Sequence, residues 1–191
     1  MSPKTLVPIV MALLVIAGAG VGLILYPSIY PEQAIVTNDA KNCLADDCLL
    51  VDDLEYPVGE LSQEIQEALK EAIYDEYKAR DTYEQVIAKF GSVRPFSMII
   101  RSEEQHIASL KAVYDKYGIV APQDPWTGLE VPATLTESCQ LGVDAEIANV
   151  ALYRDSLLPL VKDYADITQV FNTLMDASES KHLPAFTKCA K

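Results

Sequence analysis

Two short stretches carry the residue types from which chemistry can be built: Ser102-Glu103-Glu104-Gln105-His106 and Ser178-Glu179-Ser180-Lys181-His182. The chain has only 2 histidines in 191 residues, and each follows a glutamate by three positions. That spacing sets two side chains on one helix face. A carboxylate and an imidazole side by side ligate a divalent cation, and two such pairs inside one helical bundle are the arrangement that holds two ions through shared carboxylates. Glu76 and Glu146 extend the pattern, because each is followed two helical turns later by a tyrosine, Tyr83 and Tyr153. Ser-Glu-x-x-His-Ile at 102–107 matches Ser-Glu-x-x-His-Leu at 178–183, so the chain reads as duplicated. Each half then offers two glutamates and one histidine to a common centre.

The elements that must position these residues follow from the hydrophobic period. Ile65, Leu69, Ala72, Glu76, Ala79, Tyr83, Val86 and Phe90 step by four and three along one face of a first helix, which Gly91 stops. After Pro95, a second seam runs through Phe96, Ile99, Glu103, His106, Leu110, Val113 and Tyr117. The short connection predicts antiparallel neighbours. From Gly118 to Thr136 there is no helical period, and prolines interrupt the chain around Trp126, which is expected to plug the end of the bundle. A third seam holds Cys139, Glu146, Asn149, Tyr153 and Leu160. A fourth, capped by Asp163 or Asp166, holds Phe171, Met175, Glu179, His182, Phe186 and Cys189. Pro184 inside the last helix predicts a kink or an irregular turn.

Four of the seam positions are anomalous. Glu76, Glu103, Glu146 and Glu179 stand where the period demands apolar side chains. An unpaired buried carboxylate costs several kcal/mol, against a whole-domain stability of about 5–15 kcal/mol. Two divalent cations beside two neutral imidazoles would offset four such charges. Mixed oxygen and nitrogen donors suit iron or manganese, and zinc also fits. Glu64, Glu67 and Glu71 read as a solvated face, and Glu104, Asp75 and Asp144 as charges beside the seams.

A formal net charge of −13 disfavours nucleic acid, whose phosphates need a basic face. Thr5 to Tyr26 is an uncharged apolar run, and about 20 such residues cross a bilayer core. Lys4 on one side and Glu32, Asp39, Asp46 and Asp47 on the other predict a cytosolic N-terminus with the body outside. Ala17-Gly18-Ala19 also offers a signal-peptide cleavage pattern, which would release a secreted protein. Gly18 and Gly22 have the spacing of a helix-packing pair that would support a homodimer. Residues 1–30 are thus read as a transmembrane anchor or signal helix, 31–59 as an acidic linker and 60–191 as the bundle. The chain has 4 cysteines, an even number in a segment read as exported, which predicts disulfides.

Residues 60 to 190 resemble the ferritin-like superfamily, in which Glu-x6-Tyr and Glu-x-x-His recur in both halves. Asp75-Glu76-Tyr77-Lys78-Ala79-Arg80, Phe90-Gly91, Pro95-Phe96, Glu103-x-x-His106 and His182-Leu183 with Ala185-Phe186 look like a prokaryotic ferritin-like family of unassigned function. The resemblance implies an all-α four-helix bundle with a long crossover between helices two and three, which brings Cys139 to Cys189 and leaves Cys43 for Cys48. It implies a pair of metal ions, with iron first among them. Glu76 and Glu146 would be terminal ligands, Glu103 and Glu179 bridging ligands, and His106 and His182 ligands to one ion each. Tyr83 and Tyr153 would be hydrogen-bond partners or oxidisable neighbours. The implied activity is oxidation of ferrous iron or a small reductant by dioxygen or peroxide. The alternative is a non-catalytic metal-binding or structural protein of the cell envelope. Rubrerythrins carry a further carboxylate one turn beyond the third-helix glutamate; Asn149 stands there in this chain.

Overall fold

A computed structural model of the chain describes residues 59–191. The apolar run read as an anchor or signal helix, all but the last residue of the stretch read as a linker, and the pair Cys43 and Cys48 lie outside the described residues. Among those described there are four helices and no strand, and no helix is long and apolar enough to cross a membrane.

The first helix, Gln63–Phe90, opens on Ser62, whose hydroxyl accepts the amide of Ile65, and closes on Gly91 at φ 84°. Only glycine takes that backbone conformation without strain. The second, Phe96–Lys116, follows after five residues and packs along the first. The third helix opens on a reciprocal cap in which the Thr134 hydroxyl accepts the Glu137 amide and the Glu137 carboxylate takes the Thr134 amide. It runs as an α-helix over Leu135–Ala151, widens to a π-helical turn over Leu152–Leu157 and returns to α over Leu158–Val161. The fourth repeats the design: Ala165–Ala177, a π turn over Ser178–His182, then Leu183–Cys189.

Both π turns lie just before a proline. Pro159 and Pro184 have no amide to donate, and their rings crowd the carbonyls of Asp155 and Ser180, four residues earlier. Both of those carbonyls belong to the widened turns. The irregular turn expected at Pro184 is therefore present, and it falls on the Glu-x-x-His pair itself.

The expected long crossover spans 117–134 and is strapped to the flank of the first helix. The Tyr77 hydroxyl donates to the Pro122 carbonyl at 3.3 Å, Arg80 pairs with Asp124, and the Asp81 carboxylate accepts the amides of Gly128 and Leu129 at 3.0 and 2.9 Å. Trp126 does not plug the bundle end. Its indole N–H donates to the Tyr74 carbonyl, midway along the first helix. Lys89, at the end of the first helix, reaches the carbonyls of Val131 and Pro132, so the third helix starts beside the end of the first. The second and third helices therefore run parallel.

At the opposite end, the buried Asp166 receives Lys116 at 2.7 Å and the Tyr117 hydroxyl. This corrects its expected role as a cap: Asp166 sits in the first turn, the capping position is Tyr164, and its carboxylate ties the fourth helix to the second. Cys139 and Cys189 form the expected disulfide between the start of the third helix and the end of the fourth. Leu160, expected on the seam, is exposed.

Candidate metal centre

The apolar interior is divided in two. One cluster contains Leu69, Ile73, Leu110, Phe171 and Tyr153; the other contains Val86, Phe96, Ile99, Phe186 and Tyr83. Between them lies a polar layer made by Glu76, Glu103, His106, Glu146 and His182, all buried.

Two overlapping triads make up this layer: Glu76, Glu103 and His106, and Glu103, Glu146 and His182, the ligand atoms within each lying within 4.8 Å of one another. His106 Nδ1 lies 3.0 Å from Glu76 Oε2 and 3.2 Å from Glu103 Oε2. His182 Nδ1 lies 3.3 Å from Glu103 Oε1 and 3.4 Å from Glu146 Oε2. Glu103 thus spends one oxygen on each triad, the position a bridging carboxylate takes. The two imidazole rings face each other across it at 5.6 Å.

The tyrosines cross between the halves. Tyr83 on the first helix donates to Glu146 on the third at 2.7 Å, and Tyr153 on the third donates to Glu76 on the first at 2.9 Å. Each hydroxyl therefore fixes the terminal carboxylate of the other half. Burial, with the neighbouring carboxylates, holds both phenols well above their ordinary range, so they stay protonated donors. Ser102 lies with Oγ 3.3 Å from His106 Nε2 and orients that ring from behind. Asn149 donates to Asp75 at 2.8 Å and to Glu76 at 3.4 Å.

Glu179 does not join the layer. Its side chain is exposed. A π turn advances less per residue than an α turn, so Glu179 and His182 no longer share a face as Glu103 and His106 do. The expectation of a second bridging carboxylate at Glu179 is corrected on that account. Asp75 departs as well. It is half-buried and hydrogen-bonded by Asn149, and burial raises its pKa above the usual carboxylate value. Ser102 and Asp75 are the contributors that periodicity did not single out; Asn149 stands on the third seam, as its period predicts. The only signal for the first was the serine heading each repeat.

The electrostatics are those of a crowded dry site. Burial pushes the Glu76 carboxyl up to about 8, partly opposed by His106. Burial acts the same way on Glu103, but the imidazoles of His182 and His106 outweigh it and hold that carboxyl well below the usual range. His182 is lifted to about 9: burial lowers it, and the carboxylates of Glu103 and Glu146 more than reverse that.

The donor set fits a pair of divalent ions. His182 is fully buried; its Nε2 has no partner, and its Nδ1 meets Glu103 Oε1 and Glu146 Oε2 only in the long ion-pair contacts, not in well-formed hydrogen bonds. Buried polar atoms are rarely left so loosely paired, and an ion drawing on Glu103, Glu146 and His182 would engage the imidazole and both carboxylates at once. A cavity of roughly 280 Å³ between the first and third helices reaches Tyr83, Glu103 and Glu146 from the surface. No known protein family matches this chain, and no curated protein matches it.

Proposed function

We propose that the chain is an extracytoplasmic member of the ferritin-like superfamily that binds two metal ions, iron first among them, and uses dioxygen or peroxide to oxidise ferrous iron or a small reductant. The observation that carries this reading is the sharing of Glu103 between two buried Glu–Glu–His triads. The duplicated sequence motifs and the parallel second and third helices support the family reading. The apolar run at residues 5–26 supports a membrane-tethered or secreted location.

Bound ions would supply the redox change and the Lewis acidity. The chain's own residues do the rest. Glu76 with His106, and Glu146 with His182, would each hold one ion, with Glu103 between them. Tyr83 and Tyr153 keep the terminal carboxylates aimed inward, which matters because a carboxylate free to rotate loses its alignment at the moment the charge changes. Each phenol also has a carboxylate at hydrogen-bond distance, so an electron leaving the ring can be accompanied by its proton moving to Glu146 Oε1 or Glu76 Oε1. The two apolar clusters exclude water from above and below the layer.

Metal analysis of anaerobically purified protein, followed by ferrous addition under air with near-ultraviolet recording, tests the reading. Two equivalents of iron with turnover of further ferrous ion support it. Tight zinc with no redox change would leave a non-catalytic metal-binding protein of the envelope. No bound metal after reconstitution would sink both.

A further inference from the structure

We infer that the cavity between the first and third helices is the port by which a hydrated divalent cation reaches the centre, held through its water shell by Asp75, Asp144 and Asn149. This rests on the two-ion reading above and names the species that the centre takes up. The cavity's floor is Tyr83, Glu103 and Glu146, and its rim is Asp75, Lys78, Thr82 and Asp144. It therefore connects solvent to the two carboxylates of one triad along the edge of the second apolar cluster, to which Tyr83 belongs.

The wall selects for hydrogen-bond donors that carry positive charge. Asn149, which lines the cavity, is 6% exposed and its amide nitrogen is committed to Asp75 and Glu76, which leaves Oδ1 a buried acceptor with no hydrogen-bond partner. Glu103 Oε1, on a residue lining the same cavity, is a second buried acceptor whose charged neighbour is His182 Nδ1 at 3.3 Å, with no well-formed hydrogen bond. Asp75 and Asp144 add carboxylate oxygens above them. An anion would meet repulsion from four carboxylates. A neutral acceptor would find a donor only in Lys78, which is exposed and leans toward the Trp126 ring at 5.8 Å, because the Thr82 hydroxyl already donates to the Lys78 carbonyl at 2.8 Å. A divalent ion brings donors on every side, because its bound waters point their hydrogens outward. Six waters, at about 30 Å³ each in the liquid, amount to about 180 Å³ and fit within roughly 280 Å³. Ala79, Ala145 and Ala148 leave the passage that wide.

Stopped-flow uptake of Co²⁺, read by its visible absorption with no redox step, tests the port on the full chain. Asp144→Lys should slow association about tenfold at low ionic strength, with the difference shrinking as salt is added. Lys78→Ala should quicken it, and Ala145→Trp, which fills the cavity, should slow it at all salt concentrations. Glu71→Lys, a charge reversal on an exposed position outside the cavity, should leave the rate unchanged. In every variant both ions should still be bound at equilibrium. Uptake of two Co²⁺ at one common rate by Asp144→Lys, Ala145→Trp and the unaltered chain overturns the port while leaving the centre intact. Failure of the unaltered chain to bind Co²⁺ at all removes the centre, and the port with it.

Discussion

Glu103→Gln isolates the shared carboxylate with almost no change of volume. Its two oxygens lie 3.2 and 3.3 Å from the Nδ1 atoms of His106 and His182, so the substitution withdraws one charge from both triads together. Unit charges about 4 Å apart interact by about 4 kcal/mol at an effective dielectric of about 20. A bridging carboxylate divides its single charge between two doubly charged ions, so the loss at each is of that order, roughly a thousandfold in affinity. Glu76→Gln and Glu146→Gln each disturb one triad and should leave one ion bound. Glu179→Gln, at an exposed position, should leave two. The assay is ion stoichiometry by elemental analysis after Co²⁺ or Zn²⁺ reconstitution, with circular dichroism to establish that each variant is folded. Two ions retained by folded Glu103→Gln, or one lost by Glu179→Gln, would refute the assignment of the bridge.

Three further outcomes are expected. In the metal-free protein Glu76 and His182 keep their protons at neutral pH, with pKa values near 8 and 9, so ion binding must displace both; apparent affinity should fall as pH drops below 8, by up to about a hundredfold per unit, and calorimetry in buffers of different ionisation enthalpy should count two protons released. Burial works against the Asp166 carboxylate, but Lys116 and Tyr117 overcome it and depress its pKa, so its contribution is present above its unfolded value of about 3.9 and lost as pH falls through the lower folded one; Asp166→Asn should cost about 1–3 kcal/mol at pH 7 in urea titrations, with the gap from the parent closing at strongly acid pH. A methyl group at Gly142 would lie 2.5–2.7 Å from the Phe186 ring, itself wedged against Tyr83 and Phe96, so Gly142→Ala should destabilise by about 1–3 kcal/mol without changing ion stoichiometry.

The seams of the first two helices were legible because nothing interrupts their period: Glu76, Tyr83, Glu103 and His106 all lie where a 3.6-residue repeat puts them. Glu146 and Tyr153 were legible through their likeness to Glu76 and Tyr83, and the Cys139–Cys189 bridge through the topology. Glu179 was not. Its motif is the same as that of Glu103, and what separates them is Pro184, whose missing amide opens the turn behind it and rotates the glutamate outward. Helical spacing assumes a constant rise and twist, and a π turn breaks that assumption for the residues beside it. Leu160, just beyond Pro159 and the other π turn, was misplaced for the same reason. Asp75 reads as solvated because an acid beside a seam looks so until a neighbouring helix covers it, whereas Asn149 falls on the third seam by its period.

The loss of Glu179 from the layer changes the charge argument. Four inward carboxylates would balance two divalent ions; three leave one positive charge over. The next acid available is Asp75, half-buried in the cavity wall and close enough to Glu103 and Glu146 for their charges to raise its pKa. It is tied to the centre through Asn149, which donates to Asp75 and to Glu76 with the same amide nitrogen. A duplicated chain can therefore hold a centre that is not itself twofold. One face is closed by the turn that expels Glu179, and the other opens through a cavity whose acid, Asp75, would supply the missing negative charge when two ions are bound. The resulting asymmetry gives the two ion positions different access to solvent. The triad of Glu103, Glu146 and His182 borders the cavity through both of its carboxylates, whereas the triad of Glu76, Glu103 and His106 meets it only through the shared one. Loading should accordingly be ordered, with the first ion passing inward and the second remaining at the position nearest the cavity.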